Sequence, residues 1–167
     1  MHTMSDTELL SRFPLEDFKQ ASTFGALSDA TISWLLREGC IHSLGQGDHL
    51  FEPDDAGDSF FVILDGSIAY YKCHEGRFAF IKRYEKGEEI GFVSTVALHA
   101  RVGRAVADEP TVALEIDCPL FYRLHQEAPT DFGLLVLNLA REMARTIRKV
   151  DNIIVDMKLA AENDTDD

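Results

Sequence analysis

Three textures of hydrophobic and polar residues follow one another along the chain. Residues 1–20 are short and mixed, and Pro14 breaks any long helix there. Ser28 or Asp29 then precedes Ala30-Thr31-Ile32-Ser33-Trp34-Leu35-Leu36-Arg37, which predicts a capped helix ended by Gly39. From Cys40 to Leu124 short β-branched and aromatic runs alternate with turn residues. Ser59–Leu64, Ser67–Cys73, Arg77–Arg83 and Thr111–Ile116 are the clearest runs. Their dividers are Asp54-Asp55-Ala56-Gly57-Asp58, Asp65-Gly66, His74-Glu75-Gly76 and Glu85-Lys86-Gly87. This spacing predicts a small antiparallel barrel or sandwich, with Asp65-Gly66 as a tight turn.

After Pro129 the period changes again. Val136, Ala140, Met143, Ile147, Val150, Ile154, Met157 and Ala161 recur with alternating gaps of four and three, a heptad seam. Arg141, Glu142, Arg145, Arg148, Lys149, Asp151 and Lys158 fall off it. One reading is an amphipathic helix lying on the barrel. A helix of ~30 residues spans ~45 Å, however, longer than a small barrel is wide. A partner helix is therefore expected, most simply the same helix of a second copy in a two-fold homodimer. Val136, Ala140, Met143, Ile147, Val150, Ile154 and Met157 would form its interface.

Composition narrows the partners. The 167 residues suit one domain and carry 29 Asp+Glu against 16 Lys+Arg, a formal charge of −13. Such a chain repels a phosphate backbone, so no direct nucleic-acid partner is expected. No apolar run approaches a membrane span, and the N-terminus lacks a signal pattern, so neither membrane insertion nor export is expected. Cys40, Cys73 and Cys118 are odd in number and lack C-x-x-C spacing, which points to reduced cytoplasmic thiols without a disulfide framework or zinc site. His42, His49, His74, His99 and His125 are scattered, so no metal is expected. No nucleophile stands with a credible base, so no enzyme is expected.

Four fragments in register carry a resemblance over roughly residues 21–160. They are Gly47-Asp48-His49-Leu50-Phe51, Asp58 to Ile68, Gly87-Glu88-Glu89-Ile90-Gly91, and Arg101-Val102-Gly103-Arg104-Ala105-Val106-Ala107. Together they resemble the cyclic nucleotide-binding domain, the regulatory module of catabolite activator protein, protein kinase A regulatory subunits and gated channels. The resemblance implies a mainly β fold with flanking helices, a cyclic-nucleotide-binding-type barrel (double-stranded β-helix or jelly roll) and a long C-terminal helix. It places the phosphate-binding arginine at Arg101, whose guanidinium fork would hold a cyclic phosphate with amides near Val102 and Gly103. Gly91 would let the backbone approach the ribose. Val93 would line the same cassette, and Val150 and Asp151 fall where the family's helix meets the base.

The cassette departs from the family pattern. Phe92 stands where a glutamate would accept from the ribose hydroxyl, Val102 replaces a small residue, and Gly103 is followed by a second base, Arg104. Loss of a charge-assisted hydrogen bond costs ~1.5–3 kcal/mol. Phe92 could also fold in and fill the ribose space. Three outcomes remain open: weak or altered binding of cAMP or cGMP, binding of another small anion, or an empty structural barrel. No cofactor is obligatory. Cys73-His74 at a barrel turn leaves a haem sensor as a further option.

The expected organisation is an N-terminal segment (1–20), a barrel with its leading helix (21–128), a dimerisation helix (129–161) and an acidic disordered tail (162–167). The expected function is a stand-alone regulatory module that senses a cyclic nucleotide and signals to an effector protein. The alternative is a ligand-free interaction protein. The sequence ends after the long helix, so a transcription factor acting alone is not expected.

Overall fold

The apolar run of Ser59–Leu64 is buried along its whole length because it is covered on both faces. In the computed structural model, which describes residues 2–3, 15–19 and 22–163, that run is the core of strand β4 (Ser59–Asp65). Around it lie β1 (His2–Thr3), β2 (Cys40–Leu44), β3 (His49–Phe51), β5 (Ser67–His74), β6 (Arg77–Glu85), β7 (Glu89–Ile90), β8 (Gly103–Ala107) and β9 (Thr111–Asp117). They form two antiparallel sheets, in the orders β1-β2-β9-β4-β7 and β3-β8-β5-β6.

The helices are α1 (Leu15–Lys19), α2 (Asp29–Glu38), α3 (Phe92–Ala97), α4 (Cys118–Glu127) and α5 (Pro129–Asn163). Helix α2 starts as its sequence dictates: the Ser28 side chain accepts from the Thr31 N–H at 3.2 Å, and the Gly39 N–H closes the far end on Leu35 O.

Two cores follow from the alternation of side chains across the first sheet. Phe61, Ile63 and Ala113 point inward and meet Leu44, Phe51, Ile68, Ala105 and Ala107 between the sheets. Phe60, Val62, Leu114 and Ile116 point outward against Phe18, Ile32, Leu35, Phe92, Leu120, Leu124, Leu135 and Leu139 from all five helices. The barrel is thus mainly β with helices on one side, as the resemblance implied.

Three local expectations are corrected. Asp65-Gly66 is not a hairpin turn: β4 and β5 belong to different sheets, and Gly66 (φ +78°) carries the chain from one to the other. Cys118–Glu127, included in the barrel segment, is the helix α4, capped by Asp117 accepting from the Leu120 N–H at 2.7 Å. The last helix runs to Asn163 rather than 161. Pro14 and the tail beyond Asn163 lie outside the described residues.

Candidate functional site

Arg101 points inward. It is 3% exposed, and its fork clasps two backbone carbonyls: Nη1 donates to Gly91 O at 2.9 Å, and Nη2 donates to Ser59 O at 2.6 Å and Ser59 Oγ at 3.3 Å. The planar face lies over the Phe51 ring, 4.6 Å from its centroid, with Phe61 at 5.7 Å. Its Nε, equally buried, has no hydrogen-bond partner among the described residues. Such a donor costs ~1–3 kcal/mol until something accepts from it. Burial pulls the guanidinium pKa down, while Asp58, Glu115, Asp55 and Tyr70 hold it up.

The backbone delivers this side chain. Arg101 N donates to Asp55 O and Asp54 N donates to Arg101 O, both at 2.9 Å, so the loop before β4 grips residue 101 on both sides. Gly91 sits at φ +100°, and a Cβ there would meet Arg101 Nη1 at 2.6 Å. Only glycine gives both that backbone and that clearance. Gly103 is equally confined: a Cβ would lie 2.3 Å from Tyr71 O. Ser59 O also accepts from Thr95 Oγ1 at 2.7 Å, which ties α3 to the arginine's anchor.

Phe92 goes elsewhere. Its ring packs edge-on against Phe60 (5.2 Å) and Phe121 (6.0 Å) in the helix-side core. The option that Phe92 folds in and fills the ribose space is therefore not taken; the aromatic ring on the guanidinium is Phe51. Val93 is exposed toward α5, and Val102 is exposed beside Gly103. Arg104, the second base, stacks 3.4 Å from the Phe78 ring centroid.

Beside the cassette lies a cavity of ≈ 240 Å³ lined by Lys82 and Tyr84 of β6, Glu88, Glu89, Val93, and Glu142, Met143, Thr146 and Ile147 of α5. Its acid is unusual. Glu89 is 9% exposed and its carboxyl is pushed up to about 7, chiefly by burial. The Phe92 N–H (3.3 Å) and Lys82 oppose that rise, and Glu142 and Glu88 add to it. Burial likewise raises the Tyr84 phenol. Lys82 Nζ meets Glu88 Oε1 at 2.8 Å.

Sequence reasoning missed this cavity because its walls come from an edge strand, a two-residue strand and the middle of α5. Of the expected ligand-binding and interface residues, Val93 and the seam residues Met143 and Ile147 reach it, as do Glu88 and Glu89 of the third fragment and the off-seam Glu142. Val150 and Asp151 are exposed further along α5 and are not among its lining residues. Of the remaining seam, Val136 and Met143 are half-buried, and Ala140, Ile147, Val150, Ile154 and Met157 are exposed in the single chain. Cys73 and His74 sit at the turn end of the β5–β6 hairpin, His74 exposed.

A two-sheet β-roll holds a buried arginine beside a short helix, with a cavity roofed by the C-terminal helix. The chain belongs to the cyclic nucleotide-binding domain family, whose model matches residues 41–128. It is similar to a cyclic nucleotide-binding domain from Methylobacillus flagellatus, at 19% identity and TM-score 0.75, over 89% of this chain and 84% of that one. It is also similar to the catabolite activator protein of Thermus thermophilus (23% identity, TM-score 0.69, 84% of this chain and 63% of that one). A third is the regulatory subunit of a cAMP-independent protein kinase A from Trypanosoma brucei (16% identity, TM-score 0.65, 83% and 47%). At these identities the likenesses show the fold. No curated protein matches the chain. No helix among the described residues is long and apolar enough to cross a membrane.

Proposed function

We propose that this chain is a regulatory sensor, not an enzyme, whose ligand is a cyclic nucleotide such as cAMP or cGMP. Its phosphate would be taken by Arg101 and its base by the cavity under α5. The observation that carries this reading is the buried guanidinium with an unmet Nε, beside a cavity walled by the same Glu88–Val93 segment. Ligand in the cavity would press on Met143, Thr146 and Ile147 and shift α5 against the barrel. A second copy bound along α5, and an effector protein, would sense that shift in the cytoplasm.

A second reading has its own support. Arg101 already clasps Gly91 O and Ser59 O and stacks on Phe51, so it also serves as an internal strut of a ligand-free interaction module. Melting the protein with cAMP or cGMP separates the two. Ligand at 100 times its Kd adds ~2.7 kcal/mol, a rise of several degrees. Arg101→Lys, which keeps a charge but loses the fork, is expected to abolish the rise. No shift at millimolar ligand would establish the strut alone.

A further inference from the structure

We propose that Cys40, His42 and Glu115 form a binding site for a thiophilic divalent transition-metal ion, Zn²⁺ foremost. The pairing of β2 with β9 puts Cys40 directly opposite Glu115, and His42 follows two residues later on the same face. One ligand atom from each of the three lies within 4.8 Å of the other two. Tetrahedral Zn²⁺ with bonds near 2.0–2.3 Å wants its ligand atoms roughly 3.3–3.6 Å apart. No gap therefore needs to close by more than about 1.5 Å, within the reach of an exposed cysteine rotamer.

His42 is held ready for this. It is buried, its ring stands edge-on to Phe61 at 5.8 Å between centroids, and its Nε2 faces Glu115 Oε2 at 2.7 Å. A metal ion would enter between those two atoms, with the neutral ring keeping its proton on Nδ1 and the Cys40 thiol releasing its proton to solvent. A cleft of ≈ 150 Å³ lined by Glu38, Gly39, Cys40, Glu115, Asp117 and Leu120 opens onto the group. It leaves room for a water or a further carboxylate as fourth ligand. Sulfur, nitrogen and oxygen together select Zn²⁺ over Mg²⁺ and Ca²⁺, which take oxygen ligands. The sequence hides the set, because two ligands are i, i+2 on a strand and the third is 73 positions away from His42.

The site adjoins the nucleotide machinery without depending on it. Glu115 pairs with Phe61 of β4, and Ser59, two residues before Phe61 on that strand, anchors Arg101. The test reads the metal alone. Titrating the purified protein with Co²⁺ is expected to raise a thiolate-to-metal charge-transfer band and the intense ligand-field bands of four-coordination, both removed by Zn²⁺. Cys40→Ser should abolish the charge-transfer band. His42→Gln and Glu115→Gln should weaken Zn²⁺ by at least ~10–100-fold, the loss that outer-shell changes already cause. A Cys73→Ser/Cys118→Ser variant should keep the band and the affinity. Absence of a band in the wild-type protein, its survival in Cys40→Ser, or its loss in the Cys73/Cys118 variant overturns the proposal.

Discussion

Glu89 carries an electrostatic tension that can be tested at a single residue. Its carboxyl is pushed up to about 7 in the folded chain by burial, against an ordinary value of 4.5. Between those two values the folded state holds a proton that the unfolded state has lost. Stability therefore falls as pH rises through that window and is lowest above 7. The shift corresponds to ~3 kcal/mol at most. Lys82 and Tyr84 from β6, Glu88 beside it and Glu142 from α5 face the same cavity. Glu89→Gln keeps an acceptor for the Phe92 N–H and removes the charge. Urea unfolding should show the variant gaining over wild type at pH 8 and little or nothing at pH 5. An equal gain at both pH values would mean that burial does not hold the proton.

At the scale of elements, α3 decides what position 92 can do. Gly91 turns the chain left-handed, and the helix that follows aims Phe92 into the helix-side core with Phe60 and Phe121, while Arg101 lies between the sheets. Phe92→Glu, which would restore the family pattern, is thus expected to place a carboxylate among aromatic rings. Removing the ring alone costs ~3–5 kcal/mol. The melting temperature should drop by at least ten degrees, and nucleotide affinity should not rise above that of the wild type. A stable variant that binds cAMP more tightly than the wild type would show that α3 rotates to present position 92 to the ligand.

The same helix marks where the sequence stops being legible. Strands such as Ser59–Leu64 and the α2 caps announce themselves, because burial on both faces leaves a continuous apolar run and a cap needs a specific hydroxyl. The buried arginine was legible through its frame of glycines. The direction of Phe92 was not, since a residue after a left-handed glycine can face either core. Nor was α4 legible: CPLFYRLHQE mixes aromatic and polar residues without a clear period, and its cap, Asp117, ends a strand. The cavity and the Cys40–His42–Glu115 group come from pairings distant in sequence, which no local pattern encodes.

The whole molecule is shaped by a helix too long for its barrel. Helix α5 has 35 residues, ~52 Å at 1.5 Å per residue. Its first turns are held: Asn138 Nδ2 donates to Gly25 O at 2.7 Å, and Leu135 and Leu139 are buried. Past Ile147 it leaves the barrel, with Val150 48%, Ile154 45% and Met157 67% exposed. Each such side chain would gain ~1.5–3 kcal/mol on full burial. Ile147 and Ile154, one heptad apart with Val150 and Met157 between and beyond them, form a continuous apolar stripe on one face, which a second copy of the helix can cover. Opposing this is the charge of −13 on each copy, whose repulsion salt screens. Sedimentation equilibrium should therefore give twice the 18.7 kDa chain mass, with tighter association at higher ionic strength. Ile154→Lys with Met157→Lys, both clear of the cavity, should return a monomer whose barrel stays folded, because in the single chain these side chains face solvent. A wild-type monomer, or a double variant that still pairs, would assign the stripe to a different partner and remove the dimer from the signalling route.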